Sequence, residues 1–440
     1  GVEISYEEEL RGIKGIKFIQ KDRFNRDVGS FRNGELDIIP IAGKDLTITI
    51  DSKLQDYGEQ LMNGKKGGIV AIDPRNGEIL SLVSAPSYNP NLLIGRNRSK
   101  NYMDLYRDSI YKPLIDKSLL NMHAPGSPFK ILVGLSALQE KAITENTSIF
   151  CNNYYQYGKE KRTMQCHCGG GYRNLSNALS LSCNSYFANA YRKTIDTKSP
   201  TKETFNNWSN QMKSFGLGEY LNNDLSVGKK GIIPDFEFYN KWYPDFKWGA
   251  TTTLSNSIGQ GEVLVTPIQL ANMTAAIANK GYYYTPHIIK KIEGSEIDSK
   301  FKTKNYTLID SIHFEPIIEG LSKVYKSGTA KFLQVPDIEI CGKTGTAENF
   351  TKIDGKKTQL TDHSIFVAFA PKDNPTIAIS VLVENGYYGS RWAGRIASLM
   401  IEKYIKGEVT LKKMEQLVMN KSLDEEYQNP FLGKPFKINQ

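Results

Sequence analysis

The chain has 440 residues, 40% of them hydrophobic and 23% charged. That is enough apolar material for one large folded unit with accessory parts, and it excludes a disordered chain. The net charge is +9, but 56 basic side chains are dispersed among 47 acidic ones, and no zinc-finger, helix-turn-helix or RNA-binding signature accompanies them, so nucleic acid is not an expected partner.

No stretch approaches the roughly 18 consecutive apolar residues of a membrane span, and no charged-then-apolar leader opens the chain. Residues 1–45 read as extended, with turn signals at Arg32-Asn33-Gly34 and Ala42-Gly43-Lys44. Alternation predicts a short strand over 46–50, and a helix suits 52–63. Two strands over 68–72 and 78–83 are predicted to form a hairpin across Asp73-Pro74-Arg75-Asn76-Gly77. Near the far end a second hairpin is predicted over 364–370 and 376–383, then a helix over 392–405. Helical patterns cluster between Leu119 and Lys280. Strands at both chain ends with helices between them predict an α+β fold, one antiparallel sheet faced by helices. Residues 406–440 read as a charged tail with a short helix over 411–419.

The chemistry centres on His123-Ala124-Pro125-Gly126-Ser127-Pro128-Phe129-Lys130 and the apolar run that follows. Pro125-Gly126 reads as a turn, Ser127 as an N-cap and Pro128 as the first helical residue. A helix starting there sets the Lys130 amine beside the Ser127 hydroxyl, three residues apart. Serine needs a base to become a nucleophile, and a lysine desolvated against a buried helix can serve. Ser-x-x-Lys also occurs at Ser109/Lys112, Ser199/Lys202, Ser226/Lys229 and Ser299/Lys302. Ser127 stands out by its turn, its hydrophobic helix and two elements downstream in order: Ser182-Cys183-Asn184, and Lys343-Thr344-Gly345-Thr346 after an alternating run.

This ordered set resembles that of the class B penicillin-binding proteins, and among them the elongation-type penicillin-binding protein 2, a peptidoglycan D,D-transpeptidase. Gly68 to Ser87, Ile258-Gly259-Gln260-Gly261, Thr266 to Ala271 and Tyr6 to Gly12 resemble further blocks of that family. The resemblance implies a five-stranded antiparallel sheet between helical groups with the Ser127 helix at its centre. It implies that residues 1–45 are the remnant of an N-terminal non-catalytic domain, 46–405 the transpeptidase domain and 406–440 a tail. A membrane anchor and most of the N-terminal domain are expected to lie outside this sequence, with the protein on the extracytoplasmic face of the membrane.

By the same resemblance, Ser127 attacks the carbonyl between the terminal D-alanines of a stem peptide, with Lys130 as base. Ser182, expected between Lys130 and Lys343, passes a proton to the departing amine, and the Asn184 amide binds substrate backbone. Lys343 supplies positive charge, Thr344 and Thr346 bind the terminal carboxylate, and Gly345 admits substrate close to the strand. The oxyanion donors are the N–H groups of Ser127 and Thr346. β-Lactams acylate the same serine, and a membrane glycosyltransferase of the elongation machinery is the implied partner. No cofactor is expected for catalysis. Lys326-Ser327-Gly328-Thr329-Ala330 echoes the Lys343 motif, but it follows what reads as a helix end capped by Gly328, so it is expected to be structural.

Cys151, Cys166, Cys168 and Cys183, with His167 among them, cluster within one segment, and Cys341 stands apart. Structural zinc, a disulfide such as Cys151 to Cys166, and free thiols are all compatible with this spacing. Some elongation-type relatives carry a metal near Ser-x-Asn. Competing functions are a non-catalytic β-lactam sensor, a D,D-carboxypeptidase and a serine β-lactamase, although no loop signature for a deacylating base is present.

Overall fold

A computed structural model describes residues 1–195, 201–246, 248–353 and 355–430. Ser199, one of the Ser-x-x-Lys matches, and residues 431–440 of the expected tail lie outside these.

Both ends of the chain feed one sheet. The described helices used below are α1 (Ser52–Leu61), α2 (Lys130–Gln139), α3 (Leu175–Ser180), α4 (Asn184–Ile195), α5 (Pro267–Ala278), α6 (Phe314–Lys326), α7 (Ala393–Lys406) and α8 (Lys412–Asn420). The sheet strands are β1 (Gly67–Ile72), β2 (Ile79–Ala85), β3 (Cys341–Ala347), β4 (His363–Ala370) and β5 (Ile377–Val383). Their order is β3-β4-β5-β1-β2, antiparallel throughout. The two predicted hairpins therefore meet along β5 and β1, where Ser380 lies opposite Val70.

Alternation of side chains across the sheet divides the interior in two. Ile365, Val367 and Phe369 join a core with α2, α4 and α5, whereas Phe366, Ala368 and Ala370 join a second core with α1 and α7. Helix α1 is nucleated by Asp51, whose carboxylate accepts the N–H groups of Lys53 and Leu54. Helix α2 is buried from Lys130 to Leu138, as its composition dictates: no charged residue follows Lys130 until Glu140, and a helix apolar all round belongs inside.

The start of this helix differs from the sequence expectation. Gly126, at φ 61°, occupies the cap, Ser127–Phe129 form a 3₁₀ turn and the α-helix begins at Lys130. Ser127 makes no capping bond, so its hydroxyl is left for other partners.

Residues 1–45 form two short helices, Val2–Ser5 and Glu7–Arg11, and a mostly exposed hairpin of Ile19–Lys21 with Asp27–Ser30. At the other end α8 and a short helix, Asp424–Gln428, pack on the domain: Val418, Leu423 and Tyr427 are buried. The fully buried Lys65 donates to the carbonyls of Asn63, Val418 and Lys421 at 2.7–2.9 Å.

Candidate active site

Ser127 and Lys130 arrive on the 3₁₀ turn and the first residue of α2, Ser182 on the loop between α3 and α4, and Asn184 as the first residue of α4. Ser182 has φ 55°, a conformation that costs a non-glycine residue and persists where surrounding contacts enforce it. Its hydroxyl lies 2.9 Å from Ser127 Oγ. Lys130 Nζ is 3.0 Å from Ser182 Oγ, 2.8 Å from the Ser182 carbonyl oxygen and 2.5 Å from Asn184 Oδ1. The hydrogen-bonded path from Lys130 to Ser127 thus runs through Ser182, where the sequence suggests a direct approach. Burial pushes Lys130 down to about 8.

In its neutral form the amine has a definite arrangement among these partners. A neutral amine has two N–H groups and one lone pair. The Ser182 carbonyl and Asn184 Oδ1 can only accept, so they take both N–H groups and the lone pair faces Ser182 Oγ. The Ser182 hydroxyl can then donate to Lys130 and accept from Ser127.

Strand β3 lies against the serine turn because two glycines allow it. A Cβ on Gly345 would lie 2.6 Å from Pro128 Cδ, and one on Gly126 would lie 2.6 Å from the Thr346 carbonyl oxygen. The Gly259-Gln260 stretch braces both: Gly126 N–H donates to Gly259 O at 2.8 Å, and Gln260 Nε2 donates to Thr346 O at 2.9 Å. Lys343 is fully buried and donates to Thr344 O at 3.3 Å. Burial, and then the charge of Lys130, hold it well below the usual ammonium range.

The second copy of the motif stands outside this constellation. Lys326 ends α6 and pairs with Glu339 at 2.8 Å near the surface. Ser327, where the sequence suggests Gly328, caps the helix. Thr329, however, meets Thr344 hydroxyl to hydroxyl at 2.9 Å, so the copy buttresses the strand it resembles.

The transpeptidase profile, "Penicillin binding protein transpeptidase domain", matches residues 67–402. The chain belongs to the penicillin-binding protein transpeptidase family. It is 34% identical over 405 residues to the peptidoglycan D,D-transpeptidase MrdA of Acinetobacter baumannii, covering 88% of this chain and 57% of that protein. The Helicobacter pylori penicillin-binding protein 2, solved in complex with MreC, matches with a TM-score of 0.75 at 28% identity, covering 93% of this chain and 72% of that one. Penicillin-binding protein A of Mycobacterium tuberculosis, solved as a penicillin G acyl-enzyme, matches with a TM-score of 0.68 at 26% identity, covering 83% and 82%. The chain spans 57–62% of the length of the first curated relatives.

Behind the transpeptidase motifs lies the cysteine cluster. The Sγ atoms of Cys151, Cys166, Cys168 and Cys183 lie within 4.8 Å of one another, all buried. The 166–168 and 168–151 separations are 3.5 Å and the 166–183 separation is 3.7 Å. All five cysteines of the chain are free thiols, so the Cys151–Cys166 disulfide does not form here. His167 is exposed and outside the cluster, which removes it from the expected ligands: alternate residues of an extended segment face opposite ways, so it turns out where Cys166 and Cys168 turn in. Four thiolates around zinc would sit roughly 3.8 Å apart, given Zn–S bonds near 2.3 Å, so the cluster fits that ion. A hydrogen bond from Cys183 holds the Cys166 thiol below the ordinary thiol range, and its sulfur accepts the Asn184 N–H at 3.1 Å. Cys341 stands apart, buried beside Ile318 O.

Proposed function

We propose that this chain is a peptidoglycan D,D-transpeptidase acting through a Ser127 acyl-enzyme. The observation that carries the reading is the Ser127–Ser182–Lys130 chain around a lysine near 8. As Ser127 Oγ attacks the carbonyl between two D-alanines, its proton passes to Ser182 while that of Ser182 passes to Lys130. The route reverses to protonate the departing amine. The N–H groups of Ser127 and Thr346 receive the oxyanion, and loss of one such donor costs roughly 10²- to 10³-fold in rate. An acceptor amine then attacks the ester carbon, its nitrogen takes the acyl group, and its proton returns to Ser127.

Lys343, Thr344 and Thr346 bind the terminal carboxylate, which supplies the negative charge that a buried Lys343 lacks in the free site; Gly345 lets the peptide lie close to the strand. Asn184 holds the Lys130 amine through Oδ1, and its Nδ2 already donates to Gln165 O at 2.6 Å, so one remaining N–H is left for substrate backbone. β-Lactams enter as mimics of D-Ala-D-Ala.

Domain limits follow the same reading: 1–45 an N-terminal non-catalytic part, 46–405 the transpeptidase domain and 406–440 the C-terminal part. The protein works on the extracytoplasmic face, anchored by a segment beyond this sequence and partnered by a membrane glycosyltransferase. None of the described helices is long and apolar enough to cross a membrane.

Zinc held by Cys151, Cys166, Cys168 and Cys183 would be structural, fixing the loop that presents Ser182 and Asn184. Catalysis itself uses no cofactor. Incubation with a D-Ala-D-Ala peptide and an acceptor amine tests the function: a cross-linked product supports it, whereas hydrolysis alone, at saturating acceptor, makes the enzyme a carboxypeptidase.

A further inference from the structure

We infer that Thr329 is a positioning residue for the reaction: its hydroxyl sets the Thr344 hydroxyl to receive the terminal carboxylate of the donor peptide. The inference rests on the transpeptidase reading, which brings that carboxylate to Lys343 and Thr344. It gives a part in the chemistry to Lys326-Ser327-Gly328-Thr329-Ala330, the copy of the motif that the reading otherwise leaves idle.

The turn after α6 touches both walls of the site. The N–H groups of Ser327 and Gly328 donate to Lys323 O, both at 2.9 Å, and Ala330 N–H donates to Val324 O at 3.0 Å, so the backbone on either side of Thr329 is pinned to the helix end. Thr329 N–H donates to Ser180 O at 3.1 Å, at the end of α3 and two residues before Ser182. Gly328 lies so close to Ser180 O that a Cβ would not fit there. From this fixed base the Thr329 side chain reaches the other wall, its Oγ1 lying 2.9 Å from Thr344 Oγ1. Branching at Cβ restricts its χ1, so the hydroxyl is held toward Thr344.

Proton counting gives that bond its direction. A carboxylate only accepts, and the Thr344 hydroxyl has a single hydrogen. Once this hydrogen goes to the carboxylate, the Thr344 oxygen can meet Thr329 only as an acceptor, and Thr329 must donate. A chain then runs from Thr329 to Thr344 to the carboxylate, in which each bond strengthens the next. In the free site either hydroxyl can be the donor, so the bond exists beforehand and gains direction and strength when the negative charge arrives. Only that gain counts towards the second-order rate of acylation, because a contact unchanged between free and occupied sites cancels.

The test uses two β-lactams that differ only at the ring carboxylate, one a free acid and the other its methyl ester. Second-order constants for acylation are measured, each divided by the probe's own rate of hydrolysis by hydroxide. Thr329→Val keeps the shape and the N–H bond to Ser180 O but removes the hydroxyl. The unmodified chain should prefer the acid by roughly tenfold or more. Thr329→Val should cut that preference about fivefold by slowing the acid alone, and Thr329→Ser should restore most of it. In a Thr344→Val background, Thr329→Val should change the preference by less than about twofold, because the partner through which it acts is gone. No preference in the unmodified chain, an unchanged preference in Thr329→Val, no rescue by Thr329→Ser, or a full effect without the Thr344 hydroxyl overturns the inference. So does a variant that slows both probes together with the preference kept, which would be a purely structural role. If neither probe acylates Ser127, it is the transpeptidase reading that falls.

Discussion

In the proposed mechanism Lys130 acts as a base through its burial. Its value near 8 lies below the ordinary 10.5, so the neutral base required for attack is the majority form above about pH 8 and the minority form below it. Acylation by a neutral β-lactam should therefore fall about tenfold per pH unit below 8 and level off above. Lys130→Arg, which cannot release its proton, should lose at least roughly 10³-fold, and a pH-independent rate in the unmodified chain would contradict the assignment. Lys343→Ala should slow acylation by orders of magnitude, because no other buried cation sits on β3 to meet the substrate carboxylate. Lys326→Ala breaks only an exposed pair with Glu339, worth about 1 kcal/mol or less, and should change the rate little. The residue types and their order were legible in the sequence. The route through Ser182 was not, because the spacing of Ser127 and Lys130 says nothing about where a loop more than fifty residues later places its hydroxyl.

At the scale of elements, the close approach of the serine turn to β3 depends on Gly126. Gly126→Ala adds a Cβ 2.6 Å from Thr346 O at a positive φ, so it should destabilise the domain by about 1–3 kcal/mol and slow acylation more than it lowers the unfolding temperature suggests. Denaturant titration beside β-lactam labelling measures both. The cysteine cluster makes a second prediction. Metal analysis should find one zinc per chain, and chelation or Cys151→Ser should slow acylation while far-ultraviolet circular dichroism is largely kept. Fully titratable thiols in a metal-free native protein would remove the brace. Both sheet hairpins could be read from short apolar runs bounded by turn residues, since their strands are buried on both faces. The cluster could not, because three of its thiols come from a segment built of short strands and the fourth from the Ser182 loop, and only folding brings them together. The same holds for Thr329, whose motif resembles the active strand yet supports it from behind.

For the whole molecule, the C-terminal helices belong to the packing of the sheet domain. Removing residues 407–430 would expose Val418, Leu423 and Tyr427, each worth roughly 1.5–3 kcal/mol, and strip two of the three carbonyls from the Lys65 ammonium. The unfolding temperature should drop by several degrees in a thermal melt, and a midpoint unchanged within error would mean that these helices contribute nothing. The tail is polar enough to read as solvated, and its few apolar residues become informative only once the groove beside α1 and α7 is seen. The central claim, that Ser127 is the nucleophile, meets its most direct test in β-lactam labelling followed by peptide mass mapping. The expected result is one adduct, on the peptide carrying Ser127, absent from Ser127→Ala although that variant unfolds at nearly the same temperature. An adduct on Ser109, Ser199, Ser226 or Ser299, or labelling that survives Ser127→Ala, would contradict it.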